Sequence, residues 1–226
     1  MIGIIAAMEI ERDAILAKME NAEQKDISGI SMFTGELGKK PIVLMLSGVG
    51  KGNAAMSTTI LLENFQLEAV INIGTAGGLL REQNVLDIVI SNQVVQHDFD
   101  TSGLDQEEGI GLYYQADEQL ISECKKAFSS DCYQVFTGLI ASGDQFICEN
   151  EKIETLLATF PKAMCVEMEA GAIAQVCSHY EIPFVVLRSL SDIVYKENSE
   201  MDFKEYAKRA SERSASCCEQ FLYNRK

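Results

Sequence analysis

The sequence is poor in the residues that build several common kinds of site. It has two histidines, His97 and His179, far apart in the chain, which gives a zinc site little to draw on; no metal and no other cofactor is expected. Its seven cysteines are an odd number without a Cys-x-x-Cys pair, and the adjacent Cys217 and Cys218 are too strained a couple for a routine disulfide. Reduced, mostly buried thiols are expected instead. Positive charge is scarce as well. The 19 lysines and arginines against 34 aspartates and glutamates leave a net charge of −15, which repels a phosphate backbone and argues against nucleic acid as a partner. Only three prolines occur, and no Ser/Gly-rich linker, repeat or low-complexity segment divides the 226 residues, so one domain spanning 1–226 is expected. The opening stretch has no basic leader, and its apolar part stops at Met8, too short for a signal segment or a membrane span. A cytoplasmic protein without a membrane partner is the expectation.

What is present is a regular alternation. A hydrophobic content of 47% is enough to fill one sizeable core. Short apolar, β-branched runs at Ile2–Ala7, Ile42–Ser47, Ala69–Ile73, Asp87–Val95, Val135–Ser142, Met164–Val166 and Phe184–Leu190 read as strands, several of them apolar on both faces. Helical periodicity lies between them at Ile10–Met19, Gly52–Asn64, Asp117–Phe128, Glu151–Phe160, Glu169–Tyr180 and Phe203–Tyr223. This order predicts an α/β fold, a three-layer αβα sandwich with a central mixed, largely parallel sheet. Phe99–Tyr114, rich in Gly, Asp and Glu, reads as a long loop, usually a lid or an interface element.

In such sheets the functional residues lie just past the carboxyl ends of strands. Each segment that fits also has a plainer reading. Glu9 and Glu11 follow the first strand, where helix-start acids are favoured by the dipole. Ser47-Gly48-Val49-Gly50-Lys51-Gly52 resembles a phosphate cradle but lacks the Walker spacing and the final hydroxyl; close backbone approach serves equally. Gly74-Thr75-Ala76-Gly77-Gly78 is either a tight turn or a place where backbone meets substrate. Val166-Glu167-Met168-Glu169 starts a helix, and Arg188-Ser189-Leu190-Ser191-Asp192 supplies a cation, hydroxyls and a carboxylate that an ion pair alone would explain.

Taken in order, these motifs, together with Ser142-Gly143-Asp144-Gln145-Phe146-Ile147, closely resemble the 5′-methylthioadenosine/S-adenosylhomocysteine nucleosidases. The resemblance runs from Ile2 to the last helix. It implies hydrolysis of an N-glycosidic bond, with release of adenine from methylthioadenosine and S-adenosylhomocysteine, and from 5′-deoxyadenosine as a further substrate, in methionine salvage. Such a reaction needs an acid at the leaving purine and an activated water on the other face of the sugar. Asp192 matches the acid that protonates adenine N7, a task that burial favours by keeping its proton on. Ser191 orients it. Glu11 matches the base that takes the proton of the attacking water, with Arg188 and Thr75 beside it. Glu169 matches the carboxylate that binds the ribose hydroxyls, and Met168 lies against the sugar. Phe146 stacks on the purine and the Ile147 backbone pairs with its edge. Gly77, Val166 and Glu167 join the substrate-binding set, and Met8, Val49 and Phe203 line the 5′-alkylthio pocket. The partners implied are a small nucleoside, water and a second copy of the chain in a homodimer.

The resemblance also separates hydrolase from phosphorylase. Bacterial phosphorylases of the superfamily bring an arginine to the first strand-to-helix turn, where this chain has Glu9 and Glu11, which suit a water and repel phosphate. Arg12 is the nearest basic residue. The loop after Asp100 departs from the family in carrying Leu104 as its only large apolar side chain where aromatics are common. That departure leaves an aminodeoxyfutalosine-type nucleosidase as an alternative. A catalytically silent nucleoside-binding protein is the other, against which the presence of Glu11, Glu169 and Asp192 argues.

Overall fold

A computed structural model describes residues 1–105, 109–128, 133–194 and 199–225, with the helix path but not the side chains over 199–205. The chain begins β1 (Ile2–Ala6), α1 (Glu9–Leu16), β2 (Glu20–Ile27), β3 (Ile30–Leu37), β4 (Lys40–Leu46), α2 (Lys51–Asn64), β5 (Ala69–Gly78) and β6 (Ile88–Asp100). It continues α3 (Ser102–Asp105), β7 (Ile110–Gln115), α4 (Glu118–Ala127), β8 (Val135–Ser142), α5 (Asn150–Thr159), β9 (Ala163–Glu167), α6 (Ala170–His179), β10 (Phe184–Ile193) and α7 (Ser199–Asn224).

Every residue of β1 and β10 is buried, as expected of strands covered on both faces. Strands β4, β1, β5 and β10 run parallel in that order. Strands β6, β8 and β9 form a second parallel group, joined to the first by antiparallel pairing of β6 with β10 and of β9 with β5. The sheet is therefore mixed, and its strands β5, β10, β6, β8 and β9 close into a ring. The β5–β9 seam pairs Gly77 with Val166, so the carboxyl ends of both groups meet at one place. Helices α1, α4 and α7 pack as one layer against β5 and β10, and α2 packs with α6 as another.

Three strands escape a reading based on apolar runs. The β2–β3 hairpin is one pair: β2 is exposed along nearly its whole length and carries Glu20, Glu23, Lys25 and Asp26, a charged edge that discourages pairing with other chains. The third is β7. The segment read as one long loop, Phe99–Tyr114, holds the end of β6, the short α3 and most of β7, with residues 106–108 outside the described set. Hydrogen bonding to β6 orders this polar stretch, and Tyr113 packs edge-on against Phe160 with ring centroids 6.3 Å apart. Among the described cysteines, Cys124, Cys165, Cys177, Cys217 and Cys218 are buried thiols and Cys148 is partly so. No helix among the described residues is long and apolar enough to cross a membrane.

Candidate active site

The strand ends converge. Met8–Glu11 follows β1, Ser47–Gly50 follows β4, Thr75–Gly77 ends β5, Glu167–Glu169 follows β9, and Ser191 and Asp192 end β10. With the Gly143–Ile147 loop after β8 they surround a cavity of about 240 Å³.

Glu9 and Glu11 both stand in the first turn of α1, yet they differ sharply. Glu9 is exposed, whereas Glu11 is 2% exposed and reaches the cavity. One oxygen of Glu11 accepts from the Ala7 and Met8 backbone N–H groups at 3.0 and 3.1 Å. The other accepts from the Thr75 N–H at 2.9 Å and the Thr75 hydroxyl at 3.2 Å. Glu11 is thus a helix-start acid and a cavity carboxylate at once, and β5 must pass close to it. Gly74 makes that possible, because a Cβ there would lie 2.9 Å from Glu11 and 2.6 Å from Arg188 Nη1.

Arg188 lies behind the cavity wall, 1% exposed. Its Nη2 donates to Asn72 Oδ1 at 2.8 Å and to Glu167, and Glu169 Oε2 is 3.9 Å away. Its Nη1 makes no hydrogen bond among the described residues. Burial alone disfavours the guanidinium charge, but the Glu167, Glu169 and Glu11 carboxylates outweigh it and hold the Arg188 pKa above its ordinary value. Glu167 also caps α6, accepting from the N–H groups of Glu169 and Ala170. Glu169 accepts from the Gly50 N–H at 2.9 Å. Three acids around one cation leave excess negative charge, and Glu169 takes up the strain. Burial, then the neighbouring Glu167 charge, push its carboxyl up to about 8.

At the other end of the cavity, the β10–β5 register slips between Leu190, opposite Ala76, and Asp192, opposite Gly77. In a regular strand one of two neighbours turns away; the bulge lets both Ser191 and Asp192 face the cavity. The Ser191 hydroxyl lies 2.9 Å from Asp192 Oδ1, and both residues are buried. A side chain at Gly77 would come 3.2 Å from Asp192 Oδ2. Thr75 and Gly77 are two residues apart on β5, so the anchor points of Glu11 and Asp192 are separated by roughly 6–7 Å along the strand, room for a sugar ring between them.

The remaining wall is mostly apolar. Met8, Val49, Val166 and Met168 line it, and Phe146 and Ile147 arrive on the β8–α5 loop, Phe146 exposed toward the opening. The Phe203 side chain lies outside the described residues. The glycine turn after β4 is no open phosphate cradle: its Gly50 N–H binds Glu169, its Lys51 N–H binds Asp144 Oδ1 at 2.7 Å, and the Lys51 ammonium pairs with Asp98 at 2.5 Å. Among the described residues no cluster has the side chains to hold a metal ion.

This geometry has close relatives. Residues 1–223 match the model of the phosphorylase superfamily. A 5′-methylthioadenosine/S-adenosylhomocysteine nucleosidase from a Marinomonas species is 45% identical, the match covering 98% of each chain. The chain belongs to this nucleosidase family. The crystal structure of the Neisseria meningitidis member in complex with methylthio-immucillin-A superposes with a TM-score of 0.93 at 36% identity, covering 98% of each chain. The Colwellia psychrerythraea member in complex with adenine gives 0.93 at 36% identity, covering 99% of this chain and 94% of that one. Relative to the residues that the family resemblance assigned to the site, the cavity gains Ala7, Ala76 and Gln145, the last two of them inside the quoted motifs. Asn72 was also missed. It is a buried amide inside the apolar strand Ala69–Ile73, and a polar residue at such a position is itself a signal. Its amide donates to the Ile5 carbonyl at 3.1 Å, which leaves its oxygen facing Arg188.

Proposed function

We propose that this cavity hydrolyses the bond between adenine and ribose in 5′-methylthioadenosine and S-adenosylhomocysteine, with Asp192 as the acid and Glu11 as the base. The observation that carries the reading is that two buried carboxyl groups, Glu11 held at Thr75 and Asp192 opposite Gly77, line the same cavity two residues apart along β5. The purine sits between Phe146 and the Ile147 backbone with N7 toward Asp192, which supplies the proton that lets adenine leave. Ser191 holds Asp192 in place. As the bond stretches, positive charge gathers on the ribose ring over the Met168 thioether and beside Glu169, whose ionised form accepts from the sugar hydroxyls. Water enters from the Glu11 side, where Glu11, the Thr75 hydroxyl and the unused Arg188 Nη1 are grouped. Glu11 takes its proton as the oxygen bonds to C1′. The products are free adenine and a 5-thio-substituted ribose. The 5′ substituent lies toward Met8 and Val49, with Phe203 assigned to the same wall.

Water rather than phosphate is favoured because none of the described residues lining the cavity is lysine or arginine, the charge of Arg188 behind the wall is already met by Glu167, Glu169 and Glu11, and the turn that resembles an anion cradle is filled by Glu169 and Asp144. The test of substrate class is an ultraviolet assay of base release. Adenine is expected from methylthioadenosine and S-adenosylhomocysteine, and no hypoxanthine from inosine. Equal turnover of inosine would overturn the placing of Phe146 and Ile147 at the purine edge.

The homodimer belongs to the same reading. Val49 and Phe146 are exposed large apolar side chains on the cavity wall, and Leu104, Ile110 and Tyr113 are exposed on α3 and β7, which follow β6. A second copy seated there would cover the 5′ substituent. Sedimentation at micromolar concentration should give a dimer; a fully active monomer would contradict this part of the proposal.

A further inference from the structure

The glycine turn after β4 carries a lysine that the chemistry above leaves without a task. Lys51 opens α2, at the positive end of the helix dipole, where a cation is disfavoured. The N-cap, Gly50, has φ +92° and no side chain with which to cap the helix. Both deficits are met by other loops. Asp144, from the loop that carries Phe146, accepts from the Lys51 N–H at 2.7 Å. Asp98, at the end of β6, binds the Lys51 ammonium at 2.5 Å with one oxygen and the Asp144 N–H at 2.9 Å with the other. The ammonium also donates to Gln96 Oε1 at 3.2 Å, and the Gln96 amide reaches Gln175 of α6 at 2.8 Å. Burial would raise the Asp98 carboxyl, but the Lys51 ammonium and the Asp144 N–H hold it below its ordinary value. None of Lys51, Asp98 and Asp144 lines the cavity.

We propose that Lys51, Asp98 and Asp144 form an ionic latch outside the cavity that holds the purine loop and the ribose turn in register, making the three of them positioning residues for glycosidic cleavage. The inference rests on the roles given above to Phe146 and Glu169. The purine loop is fixed from the Asp144 side, one residue before Gln145 and two before Phe146. The ribose turn is fixed through Gly50, whose N–H holds Glu169, and the two loops approach closely there, a Cβ on Gly50 coming 3.1 Å from Asp144 Oδ1. A Cβ on Gly143 would lie 2.3 Å from His97 Nε2, so the loop also packs directly on the end of β6.

The test is the pH dependence of KM and kcat for methylthioadenosine in Asp98→Asn, Lys51→Met and the double variant. Hydrogen bonds to charged groups are worth roughly ten- to hundredfold in an equilibrium, so KM at neutral pH should rise by about that factor in each single variant, with kcat changed less. The double variant should be no worse than the worse single one, because both break one device. A further readout separates positioning from mere loss of stability. Glu169 faces Glu167, Arg188 and Glu11, and the Gly50 N–H is one of the groups that lowers its pKa; freeing the turn should move the limb where KM falls with rising pH, which Glu169 sets, to higher pH. Additive effects of the two substitutions, or an unmoved limb with wild-type KM, would overturn the latch. If Asp98→Asn fails to fold, Lys51→Met alone decides by the same limb. A wild-type protein that releases no adenine would instead refute the proposed function, so the two failures are distinguishable.

Discussion

Asp192→Asn is expected to abolish adenine release from methylthioadenosine while substrate still binds. The amide keeps the size of the carboxyl and can stay beside the Ser191 hydroxyl, so the cavity retains its shape. It has no proton to give to N7. General-acid loss commonly costs about 10²–10⁴ in rate, and adenine is a poor leaving group unprotonated, which places the expected loss at the upper end or beyond. The split between steps is the informative part: kcat should collapse while the dissociation constant for substrate, measured by calorimetry on the variant, changes little. Wild-type turnover by Asp192→Asn would move the leaving-group acid elsewhere and dissolve the assignment of roles.

Glu11→Gln should be as damaging to kcat, about 10²–10⁴, but by another route. The variant cannot take the proton of water, whereas Asp192 still helps adenine depart. A nucleophile that needs no base, such as azide, is therefore expected to restore part of the rate in Glu11→Gln and none in Asp192→Asn. A structural cost accompanies the chemical one. Glu11 receives the Ala7 and Met8 N–H groups on one oxygen and Thr75 on the other, and a glutamine has an oxygen for only one of these pairs. A buried donor left facing an NH₂ group costs about 1–3 kcal/mol, so the variant should also melt earlier than wild type. Equal rescue of both variants by azide would show that the two carboxyl groups do not divide the work as proposed.

The contrast between Glu9 and Glu11 shows how far the sequence carries. Both acids fit a helix start, and nothing in the local pattern says that one is exposed and the other buried against Thr75. That distinction depends on β1 lying beside β5, a long-range pairing. Order of motifs did identify the family and its fold, because each motif marks the end of an apolar strand and strand ends of this kind share one crevice. The β2–β3 hairpin and β7 were illegible for other reasons: β2 is polar and exposed, β3 mixes apolar with polar residues, and β7 is a short Ile-Gly-Leu-Tyr-Tyr-Gln segment behind a stretch rich in Gly, Asp and Glu, so only their neighbours in the sheet make them strands. Of the two readings of Arg188, the structure shows the ion pair. Arg188 is the partner of a structural ion pair with Glu167, and the same contact turns Nη1 toward Gly74 and Glu11. The use of Lys51 could not be read at all, since Asp98 and Asp144 stand 47 and 93 residues from it in sequence.

In the proposed mechanism water, activated on the Glu11 side, attacks as adenine leaves on the Asp192 side. Turnover of methylthioadenosine in water enriched in heavy oxygen, with and without phosphate, tests it most directly. The account predicts heavy oxygen at C1 of the released 5-methylthioribose, no phosphorylated sugar, and the same rate in both buffers. A sugar 1-phosphate, or a rate that requires phosphate, would contradict it.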